Sequence, residues 1–395
     1  MSANETILVV NGGSSSIKIS VYSKKDPARP TLSGKLERIG SGEASFQWRQ
    51  GDSAPGGKEN VEAPDHNAGA RFLIDWIGRR PEAVRIAAVG HRVVHGGPKY
   101  STPQAITSEV IAELERIGTF DPEHSPGQLQ LIGVFQEHLP GVPQIACFDT
   151  AFHQTMPRVA KILPLPRKYD AKGVRRYGFH GLSFTFLVEE LERLDGPAVA
   201  RGRVILAHLG NGASLAAVRN GHGVDTSMGF TPTAGIPMSS RTGDLDPGVF
   251  SYLCLSEGVT PEKFGHMVNA ESGLLGISEI SSDMRDLLAR EAEDVRAAEA
   301  VEVFCYQTRK WIGAFAAVLG GVETLVFAGG IGENMPVVRE RICAGLGFLG
   351  IAIDPVRNAA NAGIISPENS GANVRMIRTN EEVVIAKAVW RLLSQ

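Results

Sequence analysis

The sequence is short of cysteine, of long apolar runs and of net charge, and each shortage closes off a class of protein. Its four cysteines, Cys147, Cys254, Cys305 and Cys343, form no CxxC pair among 395 residues. That spacing argues against a structural zinc site and for free thiols in a reducing cytosol. No run approaches the roughly 20 apolar residues a membrane helix needs. The polar N-terminus enters a strand pattern without the charged and apolar regions of a signal peptide. A cytoplasmic protein with no membrane partner is expected. The formal charge of −3, from 40 Lys and Arg against 43 Asp and Glu, gives no reason to expect nucleic acid. There is no GxxxxGK[ST] loop, no HExxH and no GxSxG elbow, so the P-loop, zinc-protease and serine-hydrolase readings fall away.

Glycine, by contrast, is plentiful at 45 residues, and two glycine turns repeat one pattern. Leu8-Val9-Val10-Asn11-Gly12-Gly13-Ser14-Ser15-Ser16-Ile17-Lys18 and Leu206-Ala207-His208-Leu209-Gly210-Asn211-Gly212-Ala213-Ser214-Leu215 each read as strand, small polar turn and second strand. Such turns let a ligand approach the backbone and expose N–H groups that bind anions. One in each half suggests a duplicated, two-lobed protein gripping a polyphosphate. The length also favours two domains. Further strands are predicted over 84–89, 144–148 and 324–327, and helices over 68–77, 129–137, 297–319 and 382–393. Residues 226–248 are rich in Gly, Pro, Ser and Thr and read as a functional loop. Ala328-Gly329-Gly330-Ile331-Gly332-Glu333-Asn334 reads as a glycine turn between a strand and a Pro-initiated helix, a cradle for phosphate.

More specific segments stand in a fixed order. Asn11–Lys18, Gly90–Gly97, Phe148–His153, Arg175–Gly181, His208–Ser214, Ser281–Asp286, Gly330–Asn334 and Thr379–Glu382 together resemble the acetate kinases, with propionate and butyrate kinases as near relatives. The resemblance covers nearly the whole chain. It implies an α/β, two-lobed, duplicated actin-like ATPase fold with mixed sheets and an interlobe active-site cleft. Residues 1–150 with 382–395 would form the acyl and phosphate lobe, and 151–381 the nucleotide lobe. The implied reaction is reversible, direct transfer of the ATP γ-phosphoryl group to acetate, giving acetyl phosphate and ADP, with Mg²⁺, or Mn²⁺ in its place. A homodimer is implied as well. An ATP-driven binding module of actin or chaperone type shares the two hairpins but leaves Arg92, His180 and Arg241 unexplained.

The resemblance also implies roles. Arg92, whose rigid guanidinium fork suits a carboxylate or phosphate, would bind the acid, with Val94, Phe179, Pro232 and His124 around it. Asp149, His180, Asn211 and Arg241 would align and stabilise the phosphoryl group in flight. Lys18, His208, Leu209, Gly210, Asn211 and Gly212 would meet the ATP phosphates. Asp283, Met284 and Arg285 would form the adenosine site, and Gly330, Ile331, Gly332, Glu333 and Asn334 the loop beside it. Asn11 and Glu381 would hold the metal, a sparse set in keeping with magnesium. From the residues alone, Asp149 also reads as a helix cap, Asp283 and Arg285 as an exposed helix start, and Lys18 as a solvent-facing lysine. Glu123 departs from the pattern, standing where most acetate kinases carry the apolar residue of the methyl pocket. Leu182 and Phe184 stand where the family has Thr and His, which removes an expected support for His180.

Overall fold

The computed structural model describes residues 5–13, 15–51, 56–80, 85–123 and 125–394. The chain divides into two compact units, one of residues 1–151 with 380–395 and one of residues 152–379. The second crossing falls two residues before the boundary read from the sequence. Asn380 caps the last helix, Glu381–Leu393, by accepting the Val383 N–H at 3.1 Å, so Glu381 begins that helix and belongs to the first unit.

In the first unit the strands are β1 (Thr6–Gly12), β2 (Ser16–Ser23), β3 (Asp26–Glu37), β4 (Ser45–Gln50), β5 (Gly57–Asn60), β6 (Ile86–Val93), β7 (Gln104–Ala105) and β8 (Gln144–Phe148). They form one mixed sheet in the order β5-β4-β3-β2-β1-β6-β8-β7. β1 is central and pairs antiparallel with β2 and parallel with β6. Its unbroken apolar run, Ile7 to Val10, is buried throughout, as a strand covered on both faces requires. The helices His66–Gly78 and Ser125–His138 bring Leu73, Trp76, Leu131 and Phe135 onto Leu8, Val10 and Ile17. The last helix covers β6. There Gly90 is required, because a Cβ would lie 2.5 Å from the Ile385 side chain.

The second unit holds β9 (Val204–Leu209), β10 (Ala213–Arg219), β11 (His222–Thr226), β12 (Thr324–Ala328) and β13 (Asn373–Met376), in the order β11-β10-β9-β12-β13. β9 turns through 210–212 into antiparallel β10 and lies parallel to β12. This is the arrangement of β1, β2 and β6 used a second time. The helix Gly181–Asp195 places Phe184, Leu187 and Leu191 on Leu206, Ala216 and Val326. The helix Val295–Leu319 packs on β10 from its own apolar stripe.

One detail differs from the sequence reading. Residues 329–334 are not an open glycine turn but a short helix, Gly329–Asn334, followed directly by Pro336–Cys343. Glu333 closes it by accepting the Gly329 N–H at 2.9 Å. Gly329 itself has φ +78°, and a Cβ there would sit 2.6 Å from the Leu209 carbonyl. Elsewhere, Gly345–Gly350 has the spacing GxGxxG. It follows a helix and enters a 3₁₀ turn, Gly347–Leu349, so it lacks the strand-to-helix setting of a dinucleotide site.

Candidate active site

In the first unit, one charged cluster sits at the ends of three neighbouring strands. β6 delivers Arg92, the residue after β8 is Asp149, and β1 carries Asn11. Arg92 donates from Nε and Nη2 to the Asp149 carboxylate at 3.0 and 2.6 Å, and from Nη1 to Asn11 Oδ1 at 3.2 Å. Asn11 Nδ2 donates in turn to Glu381 and Glu382, each at 3.2 Å. Glu381 lies 3.8 Å from Arg92 Nη1. Asp149 is only 1% exposed and Arg92 18%. Burial opposes the guanidinium charge, but Asp149 and then Glu381 outweigh it, so Arg92 is held more firmly protonated than a free arginine. Asp149 therefore fixes the guanidinium edge-on.

These carboxylate and amide oxygens are hard donors of the kind magnesium takes. Among the described residues, no group of three or more His, Cys, Asp or Glu is placed to hold an ion by itself. Glu381 and Asn11 are the residues that would hold an ion keeping most of its waters or phosphate ligands.

Beside the cluster lies a cavity of about 230 Å³, lined by Gly12, Gly13, His66, Glu123, Gln128 and Leu131 among others. Gln128 accepts the N–H of buried Val94 at 3.0 Å, which ties this wall to the strand end bearing Arg92. Glu123 is exposed at the cavity, so its carboxylate is not sealed into an apolar pocket. His124 lies outside the described residues. Lys18 is exposed on β2 opposite Lys35 and lines a groove with Arg49 and Glu382.

In the second unit, a cluster forms around the glycine turn at 210–212. His180 occupies the left-handed region at φ 55°, just ahead of the helix Gly181–Asp195. A non-glycine residue there stores on the order of 1–3 kcal/mol, a cost characteristic of functional positions. Its Nδ1 bonds Ser214 Oγ at 2.9 Å, and its ring stacks on His208 with centroids 4.4 Å apart. A Cβ on Gly212 would lie 3.1 Å from His180 Nε2 and 3.7 Å from Arg241 Nη1. One on Gly210 would lie 3.6 Å from the Gly330 nitrogen and 3.9 Å from His208 Nε2. The bare turn is thus ringed by two imidazoles, a guanidinium and the first turn of the Gly329–Asn334 helix. Such an array suits a phosphate chain.

The remaining groups hold this ring in place. Arg241 Nη1 donates to the Pro232 carbonyl at 3.2 Å, and Asn211 accepts the Ser239 N–H on its carbonyl at 3.2 Å. Buried Phe179 takes a hydrogen bond on its carbonyl from His153 Nε2. Leu209 and Ile331 are core residues. Glu333 spends its carboxylate on the Gly329 and Thr379 N–H groups, Asn334 donates to the Gly330 carbonyl, and Gly332 accepts from Arg339. Asp283 caps the helix Met284–Arg290 and pairs with Arg285, whose side chain is 78% exposed, while Met284 is buried. Leu182 and Phe184 are core residues. Their apolar character leaves His180 supported, because Ser214 comes from the hairpin itself.

Sequence reasoning missed Ser183, Ser214, His153 and Thr379. Each lies inside or beside a segment singled out above, but nothing in its spacing separates it from its neighbours.

Gly273 shows how tightly the Arg241 segment is held. Its φ is +61°, and a Cβ would lie 2.1 Å from the Met238 carbonyl and 2.6 Å from that of Arg241. Gly258 has a similar φ of +66° with nothing within 4 Å. Gly273→Ala is therefore expected to lower turnover at least about tenfold as well as stability, whereas Gly258→Ala costs only about 1 kcal/mol of stability. Urea denaturation and initial rates on both variants check this; equal rates would show that the Arg241 segment tolerates the shift.

The repeated hairpin and the ringed glycine turn belong to a phosphotransferase of mixed α/β fold. The model for the acetokinase family matches residues 6–387, and the chain belongs to that family. It is 42% identical to an acetate kinase of Rhodopseudomonas palustris and 40% identical to a propionate kinase of Citrobacter rodentium. The first match covers 98% of both chains, and the second 98% of this chain and 96% of the relative. Among solved structures it is similar to the acetate kinase of Porphyromonas gingivalis, with a TM-score of 0.85 at 36% identity, covering 98% of this chain and 100% of that one. A propionate kinase of Francisella tularensis gives 0.90 at 34%, covering 97% and 98%.

Proposed function

We propose that the protein transfers the γ-phosphoryl group of MgATP to acetate, reversibly, yielding acetyl phosphate and ADP. The observation that carries this reading is the turn at 210–212, ringed by His180, His208 and Arg241, in a chain of the acetokinase family. Acetate is ionised at neutral pH and needs no base. The task is to bring two negative groups together, which is done by positioning and charge. Arg92, locked by Asp149, offers a permanent positive charge to the acid. His180, Arg241 and Asn211 hold the phosphoryl oxygens as charge redistributes among them. His208 with the 210–212 backbone and the 330–334 helix hold the rest of the phosphate chain, and Asp283, Met284 and Arg285 the adenosine. Magnesium, arriving with ATP, would screen the phosphate charge, with Glu381 and Asn11 as its protein partners.

Buried Val94 beside the acid end favours acetate over propionate. One methylene is worth about 1–3 kcal/mol, so propionate is expected as a slower substrate. A homodimer is part of the proposal. The helix Pro247–Glu257 is rich in apolar residues but buries none of them, and Tyr252 and Leu255 are 64% and 89% exposed. Cytoplasmic residence accords with three buried free thiols, Cys147, Cys305 and Cys343. No helix among the described residues is long and apolar enough to cross a membrane.

ADP release with MgATP and acetate, propionate, butyrate or no acid tests the reading. The highest rate with acetate is expected. A higher rate with propionate would move the substrate, and a rate indifferent to acid would overturn the kinase assignment.

A further inference from the structure

Behind the stacked histidines runs a chain of hydroxyls. Ser183, in the first turn of the helix Gly181–Asp195, is fully buried. Its Oγ lies 2.8 Å from His208 Nδ1 and 2.7 Å from Thr379 Oγ1. Thr379 is itself anchored, its N–H donating to Glu333 Oε1 at 3.1 Å. That same carboxylate oxygen holds the Gly329 N–H at the start of the short glycine helix. The far nitrogen of His208, Nε2, faces Gly210 in the turn. His208 thus has a hydroxyl chain on one ring nitrogen and the phosphate cradle on the other.

We propose that Thr379 and Ser183 are positioning residues that hold His208 as its Nε2–H tautomer. A neutral imidazole carries one proton, and the partner of one nitrogen decides where it sits. With Thr379 donating to Ser183 and Ser183 donating to Nδ1, that nitrogen is an acceptor and the proton lies on Nε2. His208 then presents an N–H to the phosphate oxygens without having to become charged. The alternative direction puts the proton on Nδ1 and turns a lone pair toward the phosphates, which an anion disfavours. Ser183 can serve either direction, but it can donate to His208 with its own oxygen satisfied only because Thr379 supplies a second hydroxyl. Among the described residues, these two are the side chains that meet Ser183 Oγ. The inference rests on reading the 210–212 turn as the phosphate cradle.

The test is a ¹⁵N-histidine-labelled full chain, observed above the ordinary imidazole pKa with and without MgADP. The His208 resonance is assigned by its loss in His208→Asn. In the wild type His208 is expected as Nε2–H, more completely with MgADP. Ser183→Ala is expected to give a mixture of tautomers and to raise KM for MgATP about three- to tenfold, the worth of one hydrogen bond. KM for acetate stays close to wild type, while the thermal midpoint falls by a few degrees, because a fully buried hydroxyl and its two hydrogen bonds are lost. Should Ser183→Ala not fold, Thr379→Val removes a hydroxyl at constant volume and should shift the tautomer in the same direction, with Thr379→Ser restoring the wild-type spectrum. Nδ1–H in the wild type, or an unchanged tautomer in Ser183→Ala and Thr379→Val, overturns the proposal. A tautomer shift without any response to MgADP upholds the hydroxyl chain while removing the nucleotide reading of the cradle.

Discussion

Arg92→Ala is expected to lower acetate-dependent turnover by about three orders of magnitude or more and to destabilise the first unit by about 3–5 kcal/mol. The two losses have one cause. The Asp149 carboxylate is almost wholly buried, and two of the Arg92 donors are spent on it. Removing the guanidinium leaves a buried negative charge stripped of its principal counter-ion, which costs more than the pair ever contributed. The same deletion takes away the permanent positive charge proposed for the acid. Arg92→Ala/Asp149→Asn separates the effects. It should recover much of the stability, because the charge is gone, and none of the turnover. Arg92→Lys keeps a charge but cannot reproduce the side-on fork, so it should fall between. Urea denaturation with ADP-release rates decides the matter. Arg92→Ala with wild-type turnover would remove Arg92 from the mechanism. A double variant no more stable than the single one would show that Asp149 is not what the arginine neutralises.

Acidification is expected to destabilise the fold before the carboxylates titrate. His91 and His153 are both buried, and burial pushes each imidazole pKa down to about 4. The Gln144 side chain on His91 and the Phe179 carbonyl on His153 only partly oppose the effect. His153 Nδ1 is buried with no hydrogen-bond partner among the described residues, so its protonation would bury an uncompensated charge. Above the unfolded value, about 6.5, both states hold the ring neutral and stability is complete. Below it the unfolded chain binds a proton the folded one refuses, so stability falls as pH drops, down to the folded pKa near 4. Lowering the pH from about 7 to about 5 should cost roughly 2 kcal/mol per histidine, at about 1.4 kcal/mol per unit. His153→Gln, which keeps a donor toward Phe179, should remove close to half of that dependence. Denaturation midpoints at the two pH values measure it; a flat profile would show that the rings titrate normally.

The two predictions mark different degrees of legibility. Arg92 and Asp149 stand out in the sequence because each ends an apolar strand, and a charge there needs a reason. His153 does not stand out, since a histidine beside Phe152 reads equally well as core or site. The strands were legible for the same reason as Arg92. Central, doubly covered strands leave apolar runs such as Ile7–Val10 and Val204–Ala207, and small polar turns interrupt them. The stretch at 329–334 was less legible. Glycines usually break helices, and here a helix forms because the Glu333 carboxylate and the crowding at Leu209 hold it.

The sequence by itself determined the duplicated hairpins, the resemblance to the acetokinase family and the residue types of the site, because these depend on local pattern and on segment order. Tertiary structure alone decided which side chains meet. Asn11 and Glu381 are 370 residues apart yet share a hydrogen bond. Ser183 and Thr379 are 196 apart and jointly hold His208. Such pairings follow from which strand lies beside which and from the direction each helix takes across the sheet. Those are properties of the packed core as a whole, and no local window of the chain contains them.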